Sequence, residues 1–114
     1  MAYHEHTDHQ YFRNLRQGAP KAVEGFQALD NAVFNNPDAV IPLKYTELMA
    51  VAVALTTQCP YCIEAHSTGA RKAGATEEEL AETVMVATAL RAGAAVTHGW
   101  QAMKFFTQAQ ESNA

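Results

Sequence analysis

Cysteine is scarce in this chain of 114 residues: there are two, too few for the disulfide framework of a small secreted scaffold. Basic charge is not in excess either. Eight Lys and Arg stand against twelve Asp and Glu, for a formal net charge of -4. That removes the positive face that nucleic acid or an anionic membrane surface needs, so neither is expected as the main partner. No run of 18 apolar residues occurs, which predicts no segment spanning a membrane. The opening stretch, Met1 to Gln10, is polar and His-rich and lacks the basic-then-apolar layout of a signal peptide, which predicts a cytoplasmic protein. Strand patterning is missing too, because the β-branched residues never alternate with polar ones. No repeat, linker or low-complexity stretch divides the chain, so residues 1–114 read as a single domain with 1–10 flexible.

What is abundant is alanine, 22 residues of it, within a composition that is 48% hydrophobic and 18% charged. Alanine is the best helix former and permits close helix approach, so the expected fold is all-α, a single compact helical domain of about five to six helices. Tyr11, Phe12 and Leu15 give a short helical stripe before Gly18-Ala19-Pro20. Val23, Phe26, Leu29, Val33 and Phe34 then recur at helical spacing, which predicts a helix over 21–35, stopped by Asn35-Asn36-Pro37-Asp38. From Lys44 to Thr57 the chain is apolar on most sides and reads as a buried helix with Glu47 in its first turn. The plain reading of Glu47 is a favourable charge at the positive end of the helix dipole. Thr76 and Glu79 form a capping box that opens a further helix through Leu80, Val84 and Ala87. A break is expected near 91–95, followed by a last helix carrying Val96, Trp100, Met103 and Phe106.

The segment Cys59-Pro60-Tyr61-Cys62-Ile63-Glu64-Ala65-His66 concentrates the chemistry. Pro60 pushes Cys59 away from helical dihedrals, so Cys59 is expected as N-cap and Pro60 as first residue of a helix running to about Lys72. Spacings of three, four and seven put Cys59, Cys62 and His66 on one face. Both thiols then lie in the first turn, where free N–H groups and the dipole favour negative charge. A free thiol titrates near ~8.5, and such a site lowers that by a unit or more. Three readings compete at this point. The cysteines are buried and inert; or they bind zinc together with His66 and Glu47; or they form a redox pair with His66 as base. In a straight helix Glu47 and Cys59 would stand about 18 Å apart. A role for Glu47 beside the cysteines therefore needs a bend near Gln58 or a neighbouring subunit.

The stretch from Leu43 to Ala75, with Glu47, Cys59-x-x-Cys62, His66 and the Arg71-Lys72-Ala73-Gly74 ending, resembles the alkylhydroperoxidase D-like branch of the carboxymuconolactone decarboxylase superfamily. The lactone decarboxylases of the superfamily generally lack the paired cysteines. The resemblance implies a small all-α subunit assembling into a homo-oligomer, a trimer or hexamer, with no cofactor. It implies an antioxidant thiol peroxidase in which Cys62 attacks a hydroperoxide and Cys59 donates a proton and resolves the product as a disulfide. Glu47 and His66 would form the proton relay, and a thiol reductant, such as a lipoylated or thioredoxin-like protein, would close the cycle. One position departs: lipoamide-coupled peroxidases carry a His between the cysteines, where this chain has Tyr61.

Outside that segment, His4, His6 and His9 form a run that is expected to be a solvated terminus rather than a metal site. His98 reads as a core or interface histidine. Gly93-Ala94-Ala95 and Gly99 would let another helix approach closely. The function expected is a peroxidase or disulfide oxidoreductase. A lactone-type decarboxylase with incidental cysteines and a non-catalytic zinc or scaffold module are the alternatives.

Overall fold

A computed structural model describes residues 2–112. A 3-10 turn, His6–Tyr11, leads into α1 (Phe12–Gly18) and α2 (Pro20–Phe34), followed by α3 (Leu43–Thr57), α4 (Pro60–Lys72) and α5 (Glu77–Ser112). No strand occurs among the described residues. Pro20 opens α2 as its first residue, as Pro60 does for α4. The capping box is present in both directions: the Thr76 N–H donates to Glu79 Oε1 at 2.9 Å and the Glu79 N–H to Thr76 Oγ at 3.1 Å.

α3 and α4 form an antiparallel hairpin, and α5 lies against α3. The turn between α3 and α4 rests on Gln58, held at φ 56, the left-handed position that usually takes glycine at a helix end. The Cys59 N–H then reaches back to the Ala54 carbonyl at 3.1 Å, closing a Schellman-type end. Arg91 of α5 donates to the Thr56 carbonyl at 2.7 Å, taking up another free end of α3. α4 ends the same way with the conventional residue: Gly74 has φ 97 and the Ala75 N–H bonds the Ala70 carbonyl at 2.9 Å.

The core is small. Leu48, Val51 and Ala54 of α3 meet Ala70 of α4 and Ala87 of α5, with Val23 buried on α2. Glu47 shares the face of Val51 and Ala54, at spacings of four and seven, and is 9% exposed. It therefore points inward from the second turn of α3. The first-turn dipole role expected for it does not apply, because that effect fades beyond the first turn.

α5 corrects a second expectation. It runs 36 residues without the break foreseen near 91–95. Gly93 sits among alanines with no Pro nearby, and one glycine costs a helix about 1 kcal/mol, too little to stop one this long. Leu90, Val96, Trp100, Met103 and Phe106 stand exposed along it. From Glu77 to Glu111 the helix has a window of mean hydropathy 1.2, so by length and composition alone it is long and apolar enough to cross a bilayer, an exception to the expectation from apolar run length. A lipid-facing role fits poorly with Arg91, which is tied from mid-helix to α3.

The protomer is extended. Its radius of gyration is 19.7 Å and its long axis 60 Å, against about 13 Å for the radius of a compact chain of this length. Its accessible surface is 9063 Å², about 3,000 Å² more than a compact monomer of this mass presents.

Candidate active site

Cys59 is the N-cap of α4, at φ -104 and ψ 98, and its Sγ accepts the Cys62 N–H at 3.3 Å. The N-cap position and the N–H three residues on are those of an ordinary cap, with sulfur in place of oxygen. The two cysteines are joined in a disulfide, their Cα atoms 5.3 Å apart. Both are half-buried, so the pair is held at the surface end of the hairpin and not sealed in the core.

His66 stands one turn beyond Cys62 on the same helix. Its Nδ1 lies 2.7 Å from Glu47 Oε2 within the same chain. A carboxylate accepts, so Nδ1 donates, which leaves Nε2 as the free nitrogen of the neutral ring. The bend at Gln58 thus brings Glu47 to the site without a neighbouring subunit. Among the described residues no hydrogen bond joins the imidazole directly to either sulfur.

Two neighbours of this pair escaped the sequence reading as site residues. Phe34, the last residue of α2, stacks on the His66 ring with centroids 4.8 Å apart and planes at 23°. Gly69, one turn beyond His66, is the place against which the Glu47 carboxylate rests. Phe34 was legible only as one more member of an apolar stripe, and Gly69 only as a glycine inside a helix.

Tyr61, between the cysteines, faces away from His66 and toward the N-terminal segment. Its hydroxyl donates to Asp8 Oδ2 at 2.9 Å and lies 3.3 Å from the Tyr3 carbonyl oxygen. The His4 ring meets it edge-on at 4.3 Å, and His4 Nε2 is 3.8 Å from Glu64 Oε1. The stretch expected to fray is thus laid along the first turns of α4. His9 Nδ1 is turned to the His6 carbonyl at 2.9 Å. Among the described residues no group of three His, Cys, Asp or Glu side chains is gathered as a metal site needs, so the zinc reading has no assembled donor set. His98 is exposed on α5, far along the helix from its packed first turns.

The backbone N–H of Glu5 and then the Tyr61 hydroxyl hold the Asp8 carboxyl below its usual range, while the hydrogen bond to Asp8 pushes Tyr61 up. A depressed carboxylate contributes above its unfolded value and loses that contribution as pH falls through the folded one. A raised phenol contributes below its unfolded value and loses that as pH rises through the folded one. The contact therefore holds across neutral pH and weakens toward both extremes. In Tyr61→Phe, amide hydrogen exchange over residues 3–11 at pH 7 is expected to quicken about fivefold, the loss of one modest hydrogen bond. Unchanged exchange would show that the segment is held without it.

A family model described as the carboxymuconolactone decarboxylase family matches residues 20–105. The chain belongs to the carboxymuconolactone decarboxylase family. The match takes in all of α2, α3 and α4 and most of α5, hence the whole of the Glu47–His66–disulfide site. Its relatives include "Uncharacterized protein 4 in cox locus" of Paracoccus denitrificans, 46% identical over 80 residues, which cover 70% of each chain. An uncharacterized protein of Haemophilus influenzae is 41% identical over 105 residues, 90% of this chain and 91% of that one. Among solved structures, a carboxymuconolactone decarboxylase family protein from Legionella pneumophila, in its apo form, is similar at a TM-score of 0.64 and 36% identity, covering 71% of this chain and 70% of that one. Within this family, paired cysteines with a Glu–His pair one turn away are consistent with the alkylhydroperoxidase D-like branch.

Proposed function

We propose that this family member is a dithiol peroxidase, carrying out thiol–disulfide chemistry at Cys59 and Cys62 with His66 and Glu47 as proton relay. The observation that carries the reading is the disulfide at the opening of α4, one turn from an imidazole whose Nδ1 is taken by a buried carboxylate. In the reduced protein, the N–H groups of the first turn of α4 favour a thiolate. The Cys62 thiolate attacks one oxygen of a hydroperoxide ROOH. The O–O bond breaks, ROH leaves after protonation, and Cys62 becomes a sulfenic acid. Cys59 then attacks the Cys62 sulfur, water leaves, and the disulfide forms. A dithiol reductant returns two electrons and two protons, itself becoming a disulfide. His66, with Nε2 free, moves the protons through solvent at the half-buried sulfurs, and the charge it gains is stabilised by Glu47.

Tyr61 stands in place of the His of the lipoamide-coupled enzymes, and the dithiol that closes the cycle is a lipoylated or thioredoxin-like protein. A cytoplasmic setting, with its thiol reductants, suits this cycle. The extended protomer and the open apolar flank of α5 support assembly with further copies of the chain, a trimer or hexamer, since exposed apolar surface on this scale marks an interface.

The test is hydroperoxide-dependent oxidation of a small dithiol by the reduced wild-type protein. Repeated turnover, saturable in hydroperoxide, is the expected result. A protein that oxidises no dithiol in the presence of cumene hydroperoxide or hydrogen peroxide would overturn the peroxidase reading.

A further inference from the structure

We propose that Gly69 is a positioning residue, present so that the Glu47 carboxylate can reach His66 and fix its tautomer. Its functional consequence rests on the proposed relay role of Glu47 and His66; the geometry itself does not.

Nothing about the backbone calls for glycine here. Gly69 lies inside α4, and the positive-φ glycine among the described residues is Gly74. Glycine is the poorest helix former after proline, so on local grounds alanine would serve better. Space is what demands it. A Cβ at position 69 would stand 2.7 Å from Glu47 Oε2, 2.8 Å from Cδ and 3.0 Å from Oε1. The first two are closer than a Cβ tolerates and the third is tight, and all three involve the same carboxylate. The oxygen most obstructed is Oε2, the one bonded to His66 Nδ1 at 2.7 Å.

The atoms that would have to move are the far end of a flexible side chain, with no backbone or packed hydrocarbon among them. Substitution at Gly69 should therefore spare the fold and disturb the Glu47–His66 bond. A glycine kept for a turn or for helix packing would give the opposite result. Phe34 holds the ring plane from the other side, through its stack on His66. Glu47 alone decides which nitrogen carries the proton, because a carboxylate can only accept.

The experiment is ¹⁵N imidazole spectroscopy on the full-length oxidised protein, with the His66 resonances assigned by their loss in His66→Asn, alongside thermal melts. In the wild type the neutral His66 ring is expected as the Nδ1–H tautomer. In Gly69→Ala its excess over the Nε2–H form should fall roughly tenfold or more, the ratio that a charge-assisted hydrogen bond sustains. Glu47→Gln should change the same ratio, Gly69→Ala combined with Glu47→Gln should change it no further, and in a Glu47→Ala background, where no carboxylate is left to displace, adding Gly69→Ala should leave the melting temperature unchanged or raised. A wild-type tautomer ratio in Gly69→Ala overturns the proposal, as does an effect additive to that of Glu47→Gln. A marked fall in melting temperature on adding Gly69→Ala to Glu47→Ala also overturns it, since Gly69 would then serve packing. The spectra need no peroxide, so a protein that passes this test but fails to turn over hydroperoxide refutes the redox reading alone.

Discussion

Cys62→Ser is expected to reduce hydroperoxide turnover to the uncatalysed background, a fall of at least about 10³-fold, because Cys62 is the thiol assigned to the attack and the Cys59 left behind has no second thiol to resolve it. Serine keeps the size and the cap geometry, so the hairpin should remain folded. A serine hydroxyl, however, is not ionised at neutral pH and does not displace alkoxide from a peroxide oxygen. Cys59→Ser should behave differently. Cys62 remains beside the first-turn N–H groups and reacts, but with no second thiol to displace water from the sulfenic acid the intramolecular disulfide cannot form. The pair separates attack from resolution: loss of both phases in Cys62→Ser, and in Cys59→Ser a stoichiometric first phase followed by turnover slowed to the rate at which the added dithiol reaches the Cys62 sulfenic acid. Stopped-flow kinetics of hydroperoxide loss reads both. Equal rates in the wild type and Cys62→Ser would refute the assignment and leave the lactone-type alternative, which needs neither sulfur.

The second large effect concerns α5. Replacing Trp100 and Phe106 together by glutamate is expected to convert the proposed oligomer into protomers of 12.4 kDa, read by sedimentation at micromolar concentration. Trp100 is 67% exposed and Phe106 65% in the isolated chain, so neither contributes to the protomer core and the substitutions cost it little. In an assembly of like copies each charge appears at every equivalent contact, and burying an unpaired carboxylate costs several kcal/mol each time. A wild-type protein sedimenting as a monomer would contradict the expectation, as would a charged variant that keeps the wild-type mass.

The local rules carried the sequence reading a long way. Cys59 as cap, Pro60 as first helical residue, the Thr76–Glu79 box and the Gly74 stop each depend on residues within one turn of one another, and each stands where the sequence places it. Cys59, Cys62 and His66 shared a face for the same reason. What was hidden depends on contacts between elements. Pro60 marked a break and a bend near Gln58 was one of two routes for Glu47, but Gln58 has no special liking for positive φ, so the antiparallel direction of the return that brings Glu47 to His66 was not legible. Gly69 and Phe34 acquire meaning only once α2, α3 and α4 are packed together. α5 misled in the other direction: a break was foreseen near 91–95, but the alanine run around Gly93, with no proline, propagates through it. The link between Tyr61 and Asp8 joins residues 53 positions apart, beyond the reach of periodicity.

The central claim is that Cys59 and Cys62 are exchanged between dithiol and disulfide by a hydroperoxide. Its most direct test is the mass of the fully reduced wild-type protein after one equivalent of cumene hydroperoxide, with peptide mapping of the segment between Lys44 and Arg71. The account predicts the loss of two hydrogens, confined to that peptide, with no oxygen retained. Two free thiols beside unconsumed hydroperoxide, or an oxygenated Cys62 with Cys59 still free, would contradict it.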